Sequence, residues 1–455
     1  MRRLRFSRRR MLAAASALAV PYWFTHSRVM GQGGEEKNDR PRIAAIGVGG
    51  RGTAILKSAA RFGDVVAVCD ADLQHAEAAS QLFDGKPAVY QDYRKLLEER
   101  QDIDVVLNGT PDHWHTAINV MACRLGKDVY TEKPLGLTIE EGKIFRQVVA
   151  ETRRIVQVGT QQRSVAHFRL ACELVRNGRI GKLQRVIVTL PFWNTKGGPF
   201  KPQSVPPHLN WDLWQGQAPE RPYYPERVHF NFRWWSEYAG GIITDWGQHH
   251  MDIAYWGMDM ENSGPLWVEG EAIFPNEGKP DCYDNPDRFF VKMLFPGDIE
   301  LLYFVAHDER YRATITSEED VQLFNQAQLD LPETSRNGIM FIGEKGRIFV
   351  NRGGAYGKAV EELKENPLPA NAIRLYESDD HMANFFDCVK SRKQPASTVA
   401  VAHRVLTACH VANIAIRLKR RIYWDATKEE IIGDAEAAQS IYVKRPQRPP
   451  YTIEV

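Results

Sequence analysis

The sequence predicts an α/β protein: a doubly wound parallel sheet first, then an α+β part with a large, mostly antiparallel open sheet. Three observations predict it. An apolar, β-branched run from Ile43 to Val48 leads into Gly47-Val48-Gly49-Gly50-Arg51-Gly52, where a strand should turn into a helix. Short apolar runs then alternate with helix-length segments as far as Gly159. Beyond about Gln162 the pattern changes to longer elements, strand-prone runs and aromatic-rich loops.

Each part of the first turn has a physical task. Gly47 permits the tight bend, Gly49 lets a pyrophosphate approach the backbone, and Gly52 lets helix and strand pack closely. The helix opening at Gly50 offers free N–H groups and the positive end of its dipole to phosphates. A second apolar run, Val65 to Cys69, ends on Asp70, eighteen residues after Gly52. That carboxylate is placed to accept from a ribose 2′- and 3′-hydroxyl pair, which favours NAD over NADP. Arg51 is the reservation, since a nearby arginine can accept a 2′-phosphate. Strand, glycines, helix and acid at this spacing together predict a dinucleotide site.

The alternation continues through helices at Ala71–Leu82 and Tyr93–Glu99 and a strand at Asp104–Asn108. Helix, strand and helix follow at His115–Leu125, Asp128–Thr131 and Ile139–Glu151, and Ile155–Gly159 is the last strand. Ligands of such a sheet bind beyond the carboxyl ends of its strands. The segments Thr110–His115, Thr131–Pro134 and Gly159–Gln162 all fall there. Thr110, Pro111, His115, Glu132, Lys133 and Gln161 are therefore candidate cofactor contacts, with Gly47, Gly49, Gly50, Arg51, Gly52 and Asp70. Lys133 sits on a proline-stiffened turn; the plain alternative is a surface lysine paired with Glu132.

With 455 residues there is room for two domains, and 43% hydrophobic with 25% charged residues is the composition of an ordinary globular protein. The formal charge of +2 hides an asymmetry. Residues 1–30 hold seven arginines and no acid, so the remainder is at −5, which is no footprint of a nucleic-acid binder. Six cysteines, at 69, 123, 172, 282, 388 and 409, form no C-x-x-C pair or metal-finger spacing. Cys69 and Cys123, in an expected strand and helix, read as buried free thiols.

Ser7-Arg8-Arg9-Arg10-Met11-Leu12 resembles a twin-arginine export signal. The apolar stretch Met11–Val20 suits a signal core and is too short to span a bilayer, so no stable membrane anchor is expected. The alternative is a basic disordered tail. Residues 1–30 are assigned to the signal, 31–40 to a polar linker, 41–161 to the nucleotide domain and 162–455 to a substrate and oligomerisation domain. Export in the folded state implies a periplasmic or otherwise external protein that carries its cofactor tightly bound and regenerates it within the cycle.

In the second domain His167–Asn177 reads as a helix. Leu183–Leu190, Trp267–Ala272, Phe289–Phe295 and Glu300–Val305 read as strands. Phe192–Trp235 is a long loop region rich in Trp, Pro, Tyr and His, and such loops are usually functional. Trp193, His229 and Arg233 there, with Arg163, are candidate substrate contacts. In Gly240–Asp252 (GGIITDWGQHHMD), a helix would place Asp245, His249 and Asp252 on one face and turn His250 away. An imidazole between two carboxylates has a fixed tautomer and a raised pKa, as a general base requires. A buried structural histidine and an Asp/His metal site are the alternatives; the latter lacks a clear third ligand, and no metal is expected. Ser378–Lys390 and Val399–Arg420 read as amphipathic helices, and Arg445–Val455 as an extended arm between subunits.

Taken in order, GVGGRG, TPDHWH, EKPLG and GTQQR resemble the glucose–fructose oxidoreductase/inositol dehydrogenase family, Gfo/Idh/MocA. Gly240, Gly241, Asp245, Gly247, His249 and Asp252 match that family's G-G-x-x-x-D-x-G-x-H-x-x-D pattern. The resemblance implies a Rossmann domain, a cleft lined by Thr110–His115, and a peptide before Pro134 that is often cis. It implies that Lys133 holds the reacting hydroxyl, that His249 accepts its proton and that Asp245 stands beside it. The expected protein is an exported, NAD-dependent oxidoreductase moving hydride between a sugar or polyol hydroxyl and a tightly bound nicotinamide. Its expected partners are the small-molecule substrate, the twin-arginine machinery and further copies of itself in a dimer or tetramer. Two other readings remain: a glycosidase that oxidises, eliminates and reduces on bound NAD, and an idle sugar-binding protein.

Overall fold

The structure is a computed structural model and describes residues 40–305 and 336–453. The export signal, and all of the linker except Arg40, lie outside the described residues.

Six strands form the first sheet: β1 (Arg42–Ile46), β2 (Asp64–Cys69), β3 (Ala88–Tyr90), β4 (Val105–Asn108), β5 (Asp128–Thr131) and β6 (Val156–Val158). All pairings are parallel, in the order β3-β2-β1-β4-β5-β6. β1 and β4 are buried from Ile43 and Val105 onward, which is why they read as unbroken apolar runs. The order reverses between β1 and β4, so a crevice opens beyond Ile46 and Asn108, which lie side by side.

Close approach explains two glycines. Gly47 has φ +75°, and a Cβ there would come within 2.4 Å of the Thr110 nitrogen. A Cβ on Gly52 would lie 1.7 Å from the Gly47 carbonyl oxygen, so the helix Gly50–Ala59 rests directly on the turn before it. Side-chain caps set the start of the later helices. Asp72 caps Leu73–Gln81, Asp92 caps Tyr93–Glu99, and Thr138 caps Ile139–Thr152 with Glu141 three residues on.

The second sheet has nine strands in the order β13-β12-β11-β7-β10-β9-β8-β14-β15. They are β7 (Leu183–Leu190), β8 (Trp267–Ile273), β9 (Arg288–Phe295), β10 (Ile299–Val305), β11 (Gly338–Gly343), β12 (Gly346–Asn351), β13 (Gly354–Tyr356), β14 (Ile422–Asp425) and β15 (Glu430–Ile432). Every pairing is antiparallel except β7 with β10. β9 alternates buried and part-exposed residues along its whole length, so one face is buried and the other is partly covered. Strands β11 to β15 were not foreseen.

Two C-terminal helices tie the sheets together. His381–Ser391 places Met382, Phe385 and Phe386 in one core with Ile43, Ala45 and Leu107 of the first sheet. Val399–Leu418 is long and apolar enough to cross a membrane, but it is a core helix, packed on β8 and on helix Ile139–Thr152. All six cysteines are buried and free. The C-terminal stretch packs on its own chain. Arg448 and Tyr451 bond Asp212, and the Tyr451 ring meets Trp114 edge-on.

Candidate active site

Between the glycine turn and the second sheet lies a cleft of about 830 Å³, large enough for a dinucleotide's reactive end and a small ligand. Its lining includes Gly47, Gly49, Gly50, Arg51, Asp70, Thr110, Pro111, Glu132, Lys133 and Gln161 from the first half of the chain. Trp193, His229, Arg233, Asp245 and His249 line it from the second.

Asp70 Oδ2 accepts from the Val48 N–H at 2.9 Å and Oδ1 from the Asp72 N–H at 2.9 Å. Oδ1 keeps a lone pair for a diol hydroxyl, while Oδ2 also faces His75 Nδ1 at 3.6 Å. A Cβ on Gly50 would meet nothing within 4 Å, so the turn leaves open space above it. Helix N-terminus, open turn and carboxylate fit a nicotinamide dinucleotide. Arg51 is turned away from Asp70: its Nε donates to Glu132 Oε1 at 2.7 Å. Gln161 donates to the same oxygen at 3.2 Å.

His115 and Gly52 stand behind the wall. The His115 ring lies between the carbonyl oxygens of Pro134 and Thr110, and as a neutral imidazole it donates to one of them. The Lys133–Pro134 peptide is cis.

Lys133 meets the second half of the chain. Its Nζ donates to Asp245 Oδ1 and to the Asp245 carbonyl, both at 2.8 Å. Arg233 Nε donates to the same carboxylate oxygen at 3.1 Å. Burial opposes the Asp245 charge, but these two cations outweigh it and hold the carboxyl well below the usual range. The lysine is no surface ion pair with Glu132.

The arrangement around His249 differs from expectation in three ways. The helix is interrupted at Trp246, as Ile242–Asp245 and Gly247–Met258. Neither carboxylate serves the imidazole, because Asp245 is taken by Lys133 and Arg233. Asp252 is held by Arg163 at 2.7 and 2.9 Å. His249 Nδ1 is buried without a hydrogen-bond partner. Burial, reinforced by Lys133 and Arg352, drives its pKa well below 6.5 rather than raising it. His250 faces elsewhere, near Gln162 and Asn337.

Arg163 is corrected likewise. It is 3% exposed, bonded to Asp252 and Glu261, with its guanidinium 4.9 Å from the Trp256 ring centre. It braces the helix and does not line this cleft. His229 lines the cleft at the Asp70 end, its ring 4.7 Å from that of His75. Asp72, His75 and His229 each bring a ligand atom within 4.8 Å of the others; Asp72 Oδ1 accepts from His208 and from the Gln74 N–H, and Oδ2 faces His229 at 3.6 Å.

Sequence reasoning passed over Asp112 and Arg352. Asp112 lines the cleft with its Oδ2 buried and unpartnered. Burial pushes this carboxyl up to about 7. Its place in Thr110–His115, at a strand's carboxyl end, was the available clue. Arg352 follows β12, in a hairpin the sequence did not reveal.

The family description "Oxidoreductase family, NAD-binding Rossmann fold" matches residues 41–160. Its companion "Oxidoreductase family, C-terminal alpha/beta domain" matches 189–286 and 312–453. The chain belongs to the Gfo/Idh/MocA oxidoreductase family. Among curated Gfo/Idh/MocA relatives, a glycosyl hydrolase family 109 protein from Shewanella pealeana is 32% identical over 160 residues, 32% of this chain and 34% of that one. An inositol 2-dehydrogenase from Rhizobium meliloti is 29% identical over 150 residues, 32% of this chain and 44% of that one. The match thus spans less than half the length of these relatives. The fold is shared with the WlbA dehydrogenase from Bordetella pertussis, solved with NADH and UDP-GlcNAcA, at TM-score 0.59 and 15% identity over 85% of this chain and 99% of that one. This Gfo/Idh/MocA chain therefore carries both the NAD-binding Rossmann domain and the C-terminal alpha/beta domain of that oxidoreductase family.

Proposed function

We propose that this cleft moves hydride between a hydroxyl-bearing carbon of a sugar or polyol and a nicotinamide held tightly on the glycine turn. The observation that carries the reading is the meeting of Lys133 with Asp245 in the cleft that His249 also lines. When bound, the nicotinamide supplies the hydride acceptor or donor. NAD is favoured over NADP because Asp70 faces the cleft while Arg51 is committed to Glu132.

The chain's own residues handle the proton and the oxygen. Lys133 spends two of its three N–H bonds on Asp245 and keeps one for the substrate oxygen, where it stabilises the negative charge that grows as the O–H proton leaves. His249, kept neutral by burial, offers a ring lone pair to that proton. Asp245 fixes the lysine rather than the imidazole. Asp112, titrating near neutral pH in the same cleft, is a second group able to hold a proton beside the substrate. Trp193 gives an apolar face for a sugar ring.

The test is isotopic. The purified holoenzyme is given polyols and sugars deuterated at each hydroxyl-bearing carbon, and its released nucleotide is analysed. Deuterium on the nicotinamide supports the reading, and its absence with every bound sugar overturns it. The likeness to a glycosyl hydrolase family 109 protein favours a second reading, in which the same oxidation is followed by elimination and re-reduction. An aglycone released without accumulated keto-sugar or reduced nucleotide would select it.

Export through the twin-arginine route belongs to this proposal, on the strength of Ser7–Leu12. Arg8→Lys with Arg9→Lys should leave the protein in the cytoplasm. Continued export of the double variant would end that part.

A further inference from the structure

The cations of the cleft are not equally matched. Arg51 is paired with Glu132, and Lys133 and Arg233 share Asp245. Arg352 lines the same cleft with no hydrogen bond or carboxylate partner among the described residues. Its guanidinium carbon lies 4.4 Å from the centre of the Trp246 ring, and that ring stands 6.2 Å from the ring of His249. A guanidinium laid on an aromatic face is held in plane, with its outer N–H fork free. Arg51 acts on it as a like charge, and Asp245 is already shared by two cations.

Four cations thus face Glu132 and Asp245, both committed, and Asp70, which is held by the backbone N–H groups of Val48 and Asp72, while Asp112 is pushed toward its neutral form. A dinucleotide does not correct this imbalance at Arg352. Its phosphates belong at the glycine turn, where the N–H groups of the helix Gly50–Ala59 open. Arg352 instead lies on Trp246, next to the group assigned to the substrate's proton.

We infer that the sugar taken by this cleft is acidic, and that Arg352 pairs through its fork with the anionic substituent, a carboxylate or a phosphate ester. The inference rests on the sugar-oxidising reading above. It makes Arg352 the residue that selects acidic from neutral sugars.

The test titrates the purified holoenzyme with D-glucuronate, D-gluconate, D-glucose 6-phosphate, D-glucose and myo-inositol, following tryptophan fluorescence, for the native protein, R352K and R352Q. A charge-assisted fork leads us to expect an acidic sugar to bind at least about tenfold more tightly than its neutral counterpart, with R352Q weakening it about 10- to 100-fold. Neutral sugars should change far less, R352K should recover part of the loss, and the preference should shrink with added salt. The carboxylate and phosphate arms identify the anion. Equal or tighter binding of neutral sugars, no binding of any acid, or loss of the bound nucleotide from R352Q would each overturn the inference. An acidic sugar that binds through Arg352 yet never changes the nucleotide's redox state would instead sink the hydride-transfer reading and leave this one standing.

Discussion

Lys133 Nζ lies 2.8 Å from Asp245 Oδ1, and this bond joins the end of β5's turn to the helical segment Ile242–Asp245 across 112 residues of chain. It fixes an ammonium at the mouth of the nucleotide turn. Lys133→Met keeps the unbranched side chain as far as its ε carbon and removes the ammonium. Turnover should fall about 10²–10³-fold, the usual cost of losing one preorganised donor to a developing oxyanion, while bound nucleotide is retained. Single-turnover kinetics and nucleotide content measure the two separately.

Asp112 gives a pH signature. With its carboxyl at about 7, proton loss from it should appear as a limb near neutral pH in kcat/KM. Asp112→Asn should abolish that limb, and His249 should contribute none above pH 6.5 because its folded pKa lies below that value. A pH–rate profile unchanged by the substitution would remove Asp112 from the chemistry.

Stability should fall as the solution is acidified below about pH 6.5. Burial lowers the pKa of His113, His115, His249, His250, His381 and His410, so each takes up a proton on unfolding below the ordinary histidine value. Asp112, Glu141 and Asp287, raised by burial, and His75, raised by Asp70, work in the opposite direction, but the lowered histidines, which also include His167, His229 and His403, outnumber them. Unfolding therefore takes up protons on balance, and Tm should drop between pH 6.5 and pH 5. Calorimetry across that range checks the sign.

Arg163 and Arg233 should separate cleanly. Arg163→Ala leaves Asp252 charged and buried and should cost about 3–5 kcal/mol of stability in denaturant unfolding. Arg233→Ala should cost far less stability and should act on sugar affinity, since Asp245 keeps Lys133.

Gly52→Ala should empty the nucleotide site, because the added methyl meets the Gly47 carbonyl and the turn must move. Gly50→Ala has free space and should keep its nucleotide. Absorbance of released nucleotide after gel filtration compares the two.

Much of this was legible because it is local. The glycine turn, Asp70 and the strand β5 follow from residue type and spacing within short windows, and Leu183–Leu190 was read to the residue. The pairing of charges was not legible. Helical spacing puts Asp252 near His249, but Arg163, 89 residues away, claims that carboxylate through tertiary packing. The hairpin that delivers Arg352 was missed for a related reason. Its strands β12 and β13 are short, and they join the sheet through β11, whose own partner β7 lies some 150 residues away, so no local pattern announces their place.

The helix Val399–Leu418 lies against β8 on one side and against Ile139–Thr152 on the other. A fragment ending near Gly159 would therefore present bare oily patches where that rod and the pair Phe385 and Phe386 now sit. The dinucleotide-gripping half is consequently not a cassette that can be cloned out or transplanted intact. Its last structural wall is synthesised some 350 residues after its first strand, so the nascent chain must wait for its own tail before the cofactor has a finished seat.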